Sequence, residues 1–164
     1  MDWSMMFKSR VVVFGTGNIL MGDDGVGPAV VEYLEKDETL PDDVGLLDIG
    51  TSIKQVLFDL MLVDPKPKRM IVVDAVTHEG RKAGEFWEIE PGDVPAKAVR
   101  EFSLHLFPTV NMLKEIKAQT NVDVRIVVMQ IDGIPEEMFE GLSPEIQAAL
   151  PGMAAYVKKL ILEA

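Results

Sequence analysis

The sequence holds no cysteine and only two histidines, His78 and His105, in 164 residues. Lack of cysteine excludes disulfides, thiolate nucleophiles and thiolate metal sites together. Any metal this chain contacts must be held by oxygen and imidazole. Bases are also few: 16 Lys and Arg stand against 27 Asp and Glu, for a net charge of -11. Binding nucleic acid depends on Lys and Arg neutralising phosphates, so no nucleic-acid partner is expected. An acidic field favours cations or a basic partner segment instead, although a solvated surface alone would explain most of it. No apolar run approaches membrane-spanning length, and Met1 to Phe7 is too short an apolar stretch for a signal peptide. The expectation is a cytoplasmic protein with no membrane partner. Nothing in the charge pattern suggests a sticky patch, so a monomer is the default.

Hydrophobic residues make up 48% of the chain, enough to bury a real core, and 1–164 is read as one domain. The organising stretch is Arg10 to Gly27. Val11, Val12, Val13 and Phe14 form a short β-branched apolar run, the pattern of a strand buried on both faces. It stops at Gly15-Thr16-Gly17-Asn18, a turn of residues that tolerate positive φ. Gly22, Gly25 and Gly27 follow, with the adjacent acids Asp23 and Asp24, and then Val26, Val30, Tyr33 and Leu34 at helical spacing. Strand, glycine loop and helix succeed one another, with two carboxylates near the helix start.

The rest of the chain alternates. Val44 to Ile49 reads as a second strand. Thr51-Ser52 then offers an N-cap to a helix with the stripe Ile53, Val56, Leu57, Leu60 and Met61. Met70 to Val73 is a third, buried strand ending directly in Asp74, and Gly84 to Ile89 alternates like an edge or antiparallel strand. A helix is expected from about Pro108 to Ala118, and Val124 to Gln130 is the last strand. Residues 132–142 form a long polar loop. A final helix starts after Ser143, and Pro151-Gly152 should kink or split it. This order predicts a three-layer α/β/α sandwich around a five-stranded, mostly parallel mixed sheet with one antiparallel strand.

In a parallel sheet the loops after the strands open on one edge. Asp24 follows the first strand and Asp74 ends the third, so both carboxylates could converge there, with His105 arriving from a separate crossover. Two carboxylates and an imidazole suit a borderline divalent metal and leave positions open for a substrate. Each residue also has a plainer reading: Asp24 as a helix cap, Asp74 as a turn acid, His105 as a core histidine among Leu104, Leu106 and Phe107. His78, four residues after Asp74, competes for the ligand role from what looks like an exposed loop. Dinucleotide binding is disfavoured, because Leu20 replaces the third glycine of the fingerprint and the paired aspartates would repel a pyrophosphate. No phosphate loop, serine elbow or zinc-protease motif is present.

G-T-G-N-I-L-M-G-D-D-G-V-G after a buried strand, D-I-G-T-S after the second strand, I-V-V-D-A ending the third and S-L-H-L before a helix occur in this order. Together they resemble the nickel-iron hydrogenase maturation endopeptidases, which trim a C-terminal extension from the hydrogenase large subunit once nickel is in place. The resemblance spans nearly the whole chain. It implies that Asp24, Asp74 and His105 contact the metal, that Asp48 lies near the scissile segment, and that Gly17 and Asn18 shape the cleft. It implies nickel supplied by the substrate, a large-subunit precursor as partner, and room for another divalent cation in the free protein. Related archaeal members serve coenzyme F420-reducing hydrogenases. Ile49-Gly50 departs from the Gly-Gly pair of many members, and 132–142 matches the family poorly. The alternative is a chaperone that grips the large subunit without cutting it.

Overall fold

The computed structural model describes residues 5–92 and 109–164. Its five strands form one sheet: β1 (Val11–Thr16), β2 (Val44–Gly50), β3 (Arg69–Val76), β4 (Phe86–Ile89) and β5 (Asp123–Gln130). Their order is β2-β1-β3-β5-β4, parallel except where β4 runs antiparallel to β5. The expected mixed sheet is therefore present. Every residue of β1 is buried, as is every residue of β3 except Arg69, because helices cover both faces of these central strands.

The two-residue period of a strand divides its side chains between two cores. Val11 and Val13 of β1 with Ile71 and Val73 of β3 pack under α1 (Val26–Glu35) and the C-terminal helix (Pro144–Leu162). Val12 and Phe14 with Met70 and Val72 pack under α2 (Ile53–Leu62) and α3 (Val110–Gln119). The C-terminal helix is α4. The predicted start of α3 at Pro108 lies outside the described residues.

Two local expectations need correction. The helix α4 runs unbroken through Pro151 and Gly152. Both residues are exposed, so solvent can hydrate the carbonyl that the proline leaves without an N–H. Gly152 also faces Phe86 of β4, whose ring would lie 3.4 Å from an added Cβ. The small residue thus lets the sheet edge pack against a continuous helix. Ser52 occupies the N-cap of α2 as expected, but its side chain makes no capping hydrogen bond.

The first strand pairs with β2 on one side and β3 on the other. That reversal of order creates a crevice at the carboxyl ends of β1 and β3, the usual ligand position of open α/β sheets. Glycines let the chain close tightly there. A Cβ on Gly27 would lie 2.3 Å from the Thr16 carbonyl oxygen and 2.5 Å from that of Val73, and one on Gly15 would lie 2.4 Å from the Gly27 carbonyl oxygen. The start of α1 is pressed onto the ends of both central strands.

Candidate functional site

Register fixes which residues share this edge. Gly15 of β1 stands opposite Asp48 of β2 and Val73 of β3, so Asp48 and Asp74 flank the end of β1. A 3-10 turn, Gly22–Gly25, carries Asp24 and packs against β3. Asp24 and Asp74 therefore lie on neighbouring segments at one end of the sheet. Asp24 is 4% exposed and Asp74 0%, unusual positions for carboxylates.

The N-cap position of α1 is Gly25 and not Asp24. Instead Asp24 Oδ2 accepts a 2.8 Å hydrogen bond from the Asn18 backbone N–H. Asn18 Oδ1 in turn accepts from the Leu20 N–H at 3.0 Å, which sets the course of the loop. Gly17 makes this fold-back possible: its φ is 142°, and a Cβ there would sit 2.0 Å from the Asp24 carbonyl oxygen. Asp74 Oδ1 accepts from the Ala75 N–H at 2.9 Å, and β3 runs on to Val76 because Asp74, Ala75 and Val76 all pair with β5, so Asp74 lies within the strand and not at its end as expected.

Asp48 is exposed, with Oδ1 accepting the Gly50 N–H at 2.9 Å. The Gly50 carbonyl accepts from Thr16 Oγ1 at 3.0 Å and from the Gly17 N–H at 2.8 Å. Gly50, at φ 54°, thus fastens β2 to the glycine loop. Between these loops lies a cleft of about 370 Å³ lined by Asn18, Ile19, Leu20, Asp48 and Thr51. Here Ile49 is buried and Gly50 makes the turn, so the departure from Gly-Gly leaves the turning residue in place.

His105 lies outside the described residues. Among the described residues, no three His, Asp or Glu side chains form a group able to hold a metal ion. His78 is exposed beyond β3; its Nδ1 lies 2.8 Å from the Glu79 carbonyl oxygen and its ring meets Trp87 edge-on. Its backbone N–H donates to Gln130 Oε1 at 2.8 Å.

The two adjacent aspartates differ in a way their sequence context does not show. Asp23 accepts the Ser143 N–H at 2.7 Å and the Ser143 hydroxyl at 2.8 Å, tying the glycine loop to the start of α4. Beside it Phe139 N–H donates to the Leu20 carbonyl at 2.9 Å, and Gly22 N–H to the Phe139 carbonyl at 2.7 Å. No local pattern marks a contact across 120 residues.

Comparison with known proteins agrees with this architecture. The hydrogenase maturation protease family model matches residues 28–160. A provisionally named hydrogenase maturation protease of Methanocaldococcus jannaschii is 34% identical over 148 residues, 88% of this chain and 92% of that one. The coenzyme F420 hydrogenase subunit delta of Methanothermobacter thermautotrophicus is 31% identical over 151 residues, 90% of this chain and 91% of its own. Among solved structures, the Escherichia coli hydrogenase maturating endopeptidase HybD aligns with TM-score 0.72 at 27% identity, covering 94% of this chain and 93% of that one. With matching elements in matching order over most of its length, the chain belongs to the hydrogenase maturation protease family.

Proposed function

We propose that this protein is an endopeptidase that removes the C-terminal extension of a nickel-iron hydrogenase large-subunit precursor after nickel insertion. The observation that carries the reading is the pair of buried carboxylates, Asp24 and Asp74, on neighbouring segments at the carboxyl edge of β1 and β3. Two carboxylates at one sheet edge offer oxygen ligands to a cation arriving with the substrate, and His105 would complete an oxygen and imidazole set suited to nickel. The precursor's nickel would then be what the protein recognises, so only a loaded precursor would be processed.

With no cysteine and no serine in a nucleophile motif, water is the attacking group in this reading. Asp48, exposed on the adjoining cleft, would meet the scissile segment or assist that water. Asn18 would orient Asp24 through its backbone N–H. The test is mass spectrometry of a nickel-loaded precursor incubated with wild type and with His105→Ala, Asp24→Asn and Asp74→Asn. Wild type should release the tail, and each variant should leave it attached while retaining a native circular dichroism spectrum. A precursor bound by wild type with its tail intact would instead identify a non-cleaving chaperone.

A further inference from the structure

The segment 132–142, which the processing chemistry leaves unused, presents an apolar surface inside an acidic rim. Met138 is 74% exposed, Phe139 61%, Ile19 49% and Leu20 43%. The paired backbones of Leu20, Gly22 and Phe139 satisfy their polar groups in one another, and Asp23 fastens the following Ser143. These bonds hold the segment against the glycine loop yet leave its large side chains in water. A groove of about 540 Å³ adjoins them, lined by Gly22, Ile134, Pro135, Phe139, Leu142 and Pro144. Exposed apolar side chains gathered in this way, rimmed by polar groups, mark interaction surfaces.

Charge selects the occupant. Asp132, Glu136, Glu137 and Glu140 are all exposed, and residues 132–142 contain no Lys or Arg. Two copies of this chain, each of net charge -11, would bring the same acids face to face. A segment alternating apolar side chains with Lys or Arg would fill the groove and neutralise its rim. The surface also joins the loop that carries Asp24, so a segment docked there lies beside the carboxylate edge of the sheet. We propose that this face docks an apolar, basic segment of the large-subunit precursor and selects which precursor reaches the site. The proposal rests on the processing reading for its partner.

The experiment measures association of the precursor, tail intact, with the immobilised full-length protein, and cleavage in parallel. Two variants are compared with wild type: Phe139→Ala, and the triple variant Glu136→Gln, Glu137→Gln and Glu140→Gln. The triple variant should associate about tenfold more slowly at low salt, the difference closing in about 1 M salt, where charges are screened. Phe139→Ala should raise Kd by about tenfold or more, as loss of an aromatic anchor does. Both should raise KM and leave kcat unchanged, with thermal melts like wild type because every altered side chain is exposed. Wild-type association rates, Kd and KM in both variants would overturn the proposal. So would a wild-type dimer that both variants dissociate, since the occupant would then be a second copy. If wild type binds without cutting, weaker binding by the variants still supports the docking face, and only the processing reading falls.

Discussion

The carboxylate of Asp23 is engaged by the backbone and hydroxyl of Ser143, whereas Asp24, one residue on, receives the Asn18 N–H at the edge of the crevice. Replacing each by its isosteric amide separates structure from chemistry. Asp23→Asn should cost about 1.5–3 kcal/mol in urea unfolding, the range for hydrogen bonds to charged groups, and should still permit cleavage. Asp24→Asn should unfold near the wild-type midpoint and leave the precursor uncut. Gly27→Ala would set a methyl group within 2.5 Å of two carbonyl oxygens, and unfolding should register a loss of roughly 3 kcal/mol. That Asp24 and Asp74 share one end of the sheet was legible in the sequence, because each comes after an apolar β-branched run, a local signal. The link from Asp23 to Ser143 was not, because it depends on how α4 returns to the sheet.

At the scale of elements, the sheet edge is joined to α4 by a charged cluster. Glu88 of β4 bonds Arg125 of β5 and accepts the Tyr156 hydroxyl of α4 at 2.7 Å. The Arg125 hydrogen bond holds the Glu88 carboxyl below its ordinary range, with Tyr156 adding to the effect. At the far side of α4, Lys158 donates to Asp37 at 2.6 Å, and this bond, aided by Thr39, lowers the Asp37 pKa from 3.8 to about 2. Both carboxyls bind protons less readily folded than unfolded. Their contribution is therefore fully present above the ordinary carboxylate range and is lost as pH falls through the folded values, down to about 2 for Asp37. Lys158→Met should reduce stability at neutral pH and flatten its decline between about pH 4 and pH 2, as followed by urea unfolding across that range. Elements with strong periodicity were readable in advance: β1, β3 and α2 fall where their apolar spacing puts them. Of the kink or split expected at Pro151, the split does not occur, because it depends on whether the carbonyl one turn earlier meets solvent, which spacing does not encode.

For the whole molecule, buried runs identify parallel strands and one alternating run identifies the antiparallel β4, but strand order follows from which face each crossover takes. The order β2-β1-β3-β5-β4 matters because it sets the reversal beside β1, where Asp48 of β2, Asp74 of β3 and the turn bearing Asp24 share one end of the sheet. The apolar face at Met138 and Phe139 was likewise hidden, since nothing local says whether a side chain in a loop is covered. The proposed function rests on the Asp24 and Asp74 carboxylates contacting a cation carried by the substrate. Its most direct test is cleavage of matched precursor preparations, one loaded with nickel and one nickel-free, followed by mass spectrometry of the C-terminal tail. Only the loaded precursor should lose its tail; equal cleavage of both would overturn recognition through nickel.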